Sequence, residues 1–143
     1  MGIGRLITPA TSPILEKVVT ILPAEVLQLF TNPKELIPAP GAGNWIDVLT
    51  ATMLLKYGTT PYTTNTQLRV SLQGAGDFNN TAMPIATVPA DYLYKGLLDN
   101  NTIFQGAFLN RSVVAKISTG NPAAGDSTIK LFLAYRILSN VMS

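Results

Sequence analysis

The chain contains neither cysteine nor histidine, and these two absences remove most of the chemistry open to a small protein. Without thiols there is no disulfide framework and no thiolate metal site. Without imidazole the commonest general base and the commonest transition-metal ligand are missing as well. Charge is also scarce: 13% of residues are Asp, Glu, Lys or Arg, against roughly 25% in an ordinary soluble domain. So few charges cannot cover a free monomer in the usual way, and part of the neutral surface is therefore expected to be buried against a partner. No run approaches the ~18 consecutive apolar residues of a membrane span. The first residues, interrupted by Pro9 and Pro13, hold no apolar stretch of signal-peptide length. A soluble chain without a membrane partner is expected.

The charges that are present do not point to nucleic acid. Ten basic and eight acidic residues leave a formal charge of +2, and the basic positions stand singly along the chain. Phosphate recognition needs several of them on one face, so no nucleic-acid partner is expected. Catalysis without His or Cys falls to carboxylates or lysine. Among the acids only Asp47 lies inside an apolar strand pattern, where desolvation would raise its pKa; the plainer reading is an aspartate at a strand edge, paired or solvated. The glycine-rich PAPGAGN lacks the Gly-Lys-Ser/Thr ending of a phosphate loop and reads as a turn. Asp77 to Asn80 and Asp99 to Asn101 offer one carboxylate apiece, thin for calcium. No catalytic, cofactor or metal site is expected.

What the sequence does hold is β-branched residues and turn formers. At 143 residues a single core is the default. Residues 1–16 read as an extended arm, because Gly2, Gly4, Pro9 and Pro13 break a helix, while Ile3, Leu6, Ile7, Ile14 and Leu15 supply apolar anchors. Such an arm is either loose or laid on a neighbour, and the anchors favour the neighbour. Residues 17–143 then form one β domain. A first strand is expected from Lys17 to Leu22. One or two helical turns follow from Ala24 to Phe30, opened by Pro23, and a short strand from Lys34 to Ala39. The longest strand is expected over Asn44 to Tyr57, where apolar residues on both parities imply burial on both faces; a helix competes there. TQLRVSL alternates with Leu68, Val70 and Leu72 inward and Gln67, Arg69 and Ser71 outward. Ala82 to Val88 reads as a strand broken by Pro84, and Asp91 to Leu98 as either a helical turn or a loop. Strands over Thr102 to Leu109, Ser112 to Ser118 and Thr128 to Leu138 complete roughly seven to nine. That number, with so little helix, implies an all-β, antiparallel β-sandwich of jelly-roll-like form. Tyr62 sits in a threonine-rich loop and is expected to be exposed in a lone monomer. It joins Ile3, Leu6, Ile7, Ile14 and Leu15 as a candidate interface residue.

Two segments carry a resemblance: LIPAPGAGNWIDVLTATMLLKYGTTPYTTNTQLRVSL, residues 36–72, and GNPAAGDSTIKLFLAYRIL, residues 120–138. Their PAPGAG turn, long apolar strand, YGTTPY, TNT turn and a GD turn before a closing Tyr-Arg strand resemble a family of small tailed-bacteriophage virion structural proteins. The arm and residues 74–110 lie outside it. The resemblance implies a non-enzymatic role in the virion, assembled in the bacterial host cytoplasm, with no catalytic residue to carry over. The implied role is a capsid decoration or head-fibre component, acting as a trimer or other small homo-oligomer. Its partners would be copies of itself and the major capsid protein or another virion protein. A tail, collar or neck component, and a carbohydrate-binding module for host attachment, are the alternatives.

Overall fold

A computed structural model describes residues 12–79, 82–86, 89–96 and 108–139. Nine strands and one helical turn make up the described chain: β1 (Leu15–Ile21), α1 (Pro23–Val26), β2 (Lys34–Ile37), β3 (Asn44–Lys56), β4 (Gln67–Leu72), β5 (Gly76–Asp77), β6 (Met83–Pro84), β7 (Tyr92–Gly96), β8 (Val113–Ile117) and β9 (Thr128–Ser139). One sheet has the order β1-β9-β3-β7; the other has β2-β8-β4-β5, with β6 also on β4. Every pairing is antiparallel. Successive strands β1 to β4, and again β7 to β9, alternate between the sheets, which is the jelly-roll winding. The expected antiparallel sandwich is what the chain forms.

The core lies between the sheets. Ile21, Met53, Leu55, Ile129 and Leu131 from one side meet Leu68, Val70, Leu72, Ala115 and Ile117 from the other, all 0–2% exposed. β3 corrects the expectation of two buried faces. Its register shifts between Val48 and Thr50, a β-bulge that moves the inward parity by one residue. Ile46 and Val48 face the core before the bulge, and Ala51, Met53 and Leu55 after it. Apolar residues on both parities therefore serve a single buried face.

Other boundaries shift for local reasons. β1 starts at Leu15, opposite Tyr135, two residues before the expected start. The helical turn is shorter than Ala24 to Phe30: Pro23 opens it, the Glu25 carboxylate accepts the Leu22 N–H at 3.0 Å, and turns carry the chain on to Phe30. The helical reading of Asp91 to Leu98 is overturned by β7, where Tyr92, Tyr94 and Gly96 face inward opposite Leu55, Met53 and Ala51. Gly96 fits there because a Cβ would lie 3.0 Å from the Ala51 carbonyl oxygen. Ser71 points outward as expected but is 0% exposed, since β5 pairs beside it and its hydroxyl donates to Asp77 Oδ1 at 2.5 Å. The strand expected over Ala82 to Val88 is only Met83–Pro84, residues 87–88 lying outside the described chain. Most of the Thr102 to Leu109 expectation also falls outside it.

Candidate interaction surface

At one end of the sandwich the loops between β1 and β2, β3 and β4, β6 and β7, and β8 and β9 are tied together by side chains. Asp126 Oδ1 accepts the N–H groups of Thr59 and Thr60 at 2.8 and 2.9 Å, and its Oδ2 accepts the Thr59 hydroxyl at 2.5 Å. These donors, the Thr59 hydroxyl first and then the Thr60 and Thr59 N–H groups, hold Asp126 below the ordinary aspartate range. Thr63 and Ala123 form a bridge of two backbone hydrogen bonds. Asn121 Oδ1 accepts from the backbone of Phe30 and Thr31 at 3.0 and 3.2 Å, and Asp91 Oδ1 from Tyr57 at 2.7 Å. YGTTPY and NPAAGD, separate in sequence, are thus one interlocked unit.

Tyr62 is the centre of that unit, and the expectation that it is exposed is corrected. It is 1% exposed. Its hydroxyl donates to the Ser127 carbonyl at 2.5 Å, and Gly125, with φ +97°, passes so close to the ring that a Cβ there would lie 2.1 Å from Cδ1. Burial pushes the phenol above its ordinary pKa, and the charge of Asp126 adds to the shift. A polar loop buries a tyrosine here because a second loop, glycine-bearing and distant in sequence, closes over it. A ring so enclosed has no face open to a ligand.

Asp47 and Asp77 are occupied structurally. Asp47, on the outward parity of β3, accepts from Arg136 Nη2 on β9 at 2.8 Å, the paired reading of that residue. Asp77 lies 3.5 Å from Arg69 and 3.6 Å from Lys116, a setting that disfavours a cation. Asp99 is outside the described chain. Among the described residues no three acidic side chains converge on a point where a metal could sit.

The two outer faces of the sandwich differ in chemistry. On the five-stranded sheet, the outward residues Glu35, Arg69, Lys116 and Asp77 form a charged surface. On the four-stranded sheet the registers place Val18 on β1, Phe132 and Ala134 on β9, Thr50, Thr52 and Leu54 on β3, and Leu93 on β7 outward. Val18, Phe132 and Leu93 are 56%, 38% and 66% exposed. Charges on this face stand toward its margins: Glu16, Lys95, Lys130 and the Asp47–Arg136 pair. A groove of about 240 Å³ runs over β1, β9 and β3, lined by Val18, Thr50, Thr52, Phe132, Leu133 and Ala134, with Glu16 and Lys17 together at one margin. Covering the five-stranded face would desolvate ion pairs, which is costly. Covering the centre of the four-stranded face buries threonine methyls and aliphatic carbons, which is favourable.

The same jelly roll occurs in phage capsids. The chain is similar to one in the "Cyanophage Pam1 capsid asymmetric unit", with 17% identity, 93% of each chain covered and a TM-score of 0.50. It is also similar to one in the "Capsid of Ralstonia phage GP4", with 19% identity, 99% of this chain and 94% of that one covered, and a TM-score of 0.51. At such identities the likeness establishes a shared fold. No protein-family model and no curated protein matches the chain, so the virion family that the sequence resembles is not itself confirmed.

Of the candidate interface residues, Ile3, Leu6 and Ile7 lie outside the described chain. Ile14 is 63% exposed, Leu15 is half-buried at the start of β1, and Tyr62 is internal. Sequence reasoning did not single out Val18, Phe132 and Leu93, nor the exposed Leu22 and Phe30 of the loop end. For Phe132 a signal existed: it shares its parity on β9 with Lys130 and Arg136, which marks that parity as outward.

Proposed function

We propose that this chain is a non-enzymatic structural protein of a bacteriophage virion, bound to the capsid shell as a decoration or head-fibre component and acting as a small homo-oligomer. The observation that carries the proposal is the likeness, over more than nine tenths of both chains, to chains found in two phage capsids. The four-stranded face supplies the means. Its centre is uncharged, partly apolar and backed by the core, so a partner seated there strips water from fewer paired charges than one on the five-stranded face. Copies of itself and the major capsid protein are the proposed partners. A tail, collar or neck position would use the same face and differ in location and copy number. Immunogold labelling, with an antibody raised against the recombinant chain, of particles made by cells carrying the natural gene tests the proposal. Label spread over the heads is expected. Label confined to the neck or tail moves the chain there, and unlabelled particles contradict a virion role.

A further inference from the structure

The groove over β1, β9 and β3 has features that match a segment of this same chain. Its floor is Val18, Ala134, Thr50, Thr52 and Phe132, and at its margin stand Lys17 and Glu16, the latter an exposed carboxylate with no ion pair among the described residues. Residues 1–14 contain a single charged side chain, Arg5, flanked by Ile3, Leu6 and Ile7. An extended stretch from Ile3 to Ile7 rises about 13 Å, while crossing from β3 over β9 to β1 spans about 10 Å. Ile3 and Ile7, on one side of such a stretch, can therefore seat at the two margins of the groove. Arg5, between them on the same side, then comes within side-chain reach of Glu16.

The direction of the chain favours a neighbour's arm over its own. Pro13 fixes its own φ and biases Ser12 to an extended conformation, and Ile14 beside it is 63% exposed. A chain that enters β1 extended continues the line of the strand past the groove at Glu16 to Val18, so an arm would have to turn back on itself to reach its own groove. We infer that residues 3–7 of one copy lie in the groove of a second copy, with Arg5 paired to Glu16, so that the oligomer is closed by exchange of arms. This inference rests on the reading of the four-stranded face as the docking face.

The absence of cysteine makes the test clean, because any disulfide reports an introduced pair. Chains carrying Ile7→Cys and chains carrying Thr52→Cys are mixed under mild oxidation, with Ile7→Cys plus Lys116→Cys as the control on the charged face. A cross-link between copies in the first mixture and none in the control is expected. In sedimentation, Arg5→Glu should weaken self-association at least about tenfold, and adding Glu16→Arg in the same chain should restore it. An unchanged far-ultraviolet circular dichroism spectrum for each variant separates these outcomes from misfolding. A link formed only within one chain, when Ile7→Cys and Thr52→Cys are combined, overturns the exchange. So do equal links in both mixtures, no link, or a charge swap that rescues nothing. Particle labelling is read separately: labelled heads with no cross-link refute the arm's seat alone, and a cross-link with unlabelled particles refutes the virion role alone.

Discussion

Replacing Gly125 with alanine should destabilise the domain far more than the same replacement at Gly43, although both glycines have positive φ. Gly43 has φ +79° and open space within 4 Å of where a Cβ would stand, whereas at Gly125, φ +97°, that Cβ would lie 2.1 Å from Cδ1 of Tyr62. The ring cannot swing aside, being 1% exposed and held by its hydroxyl on Ser127. Placing a side chain in the left-handed region costs about 1–2 kcal/mol, which is the whole expectation for Gly43→Ala. Overpacking against a fixed ring adds roughly 1–3 kcal/mol, so Gly125→Ala should lose about 2–5 kcal/mol, a large part of a typical total of about 5–15. Urea unfolding followed by tryptophan fluorescence measures both. The clash is isolated by adding Tyr62→Ala. That change alone should cost about 3–5 kcal/mol, and the double variant should fall short of the sum by about the size of the clash. Equal losses at Gly43 and Gly125, or strict additivity with Tyr62→Ala, would refute the interlocked loop unit.

Leu131 is 0% exposed and faces the core on β9 between Val19 and Met53; Leu131→Ala should cost about 2–5 kcal/mol in urea unfolding. Asp126 and Asp91 are held below the ordinary aspartate range, Asp126 first by the Thr59 hydroxyl and Asp91 first by Lys56. Their contribution is present above the unfolded value of about 4 and is lost as pH falls through the lowered folded values. Melting temperature should therefore drop on acidification below about pH 4, and less steeply in Asp126→Asn. Deleting residues 1–11 should leave β1 and the core intact, because the strand begins at Leu15, while sedimentation should show weaker self-association. A truncated chain that fails to fold would return the arm to the domain's own core.

The fold was legible because its signals are local. The alternation of Leu68, Val70 and Leu72, and of Ile129, Leu131 and Leu133, names an inward face without any knowledge of the partner strand. Turn formers at Pro38 to Gly43 and at Gly120 to Gly125 bound the strands they separate. What was not legible depends on pairing across long sequence distance. The bulge at Leu49 exists only against β9, and without it the apolar residues of β3 read as two buried faces. Gly96 and the two tyrosines of β7 favour neither helix nor strand until β3 is set beside them. Tyr62 sits among threonines and a proline, and its burial is caused by Gly125, more than sixty residues on. The candidate surface was the least legible part. Low charge predicted that some face is covered, but which face required the contrast between the Arg69, Lys116 and Asp77 cluster on one sheet and the Thr50, Thr52 and Phe132 surface on the other.

A cryo-electron microscopy map of the particle that carries this chain tests the central claim most directly, because it gives both position and orientation. The account predicts repeated copies of the jelly roll on the head, with Val18, Thr52, Phe132 and Leu93 covered by neighbouring protein and with Glu35, Arg69 and Lys116 facing solvent. A map in which the charged face is buried and the four-stranded face is open to water, or in which the fold is missing from the particle, would contradict it.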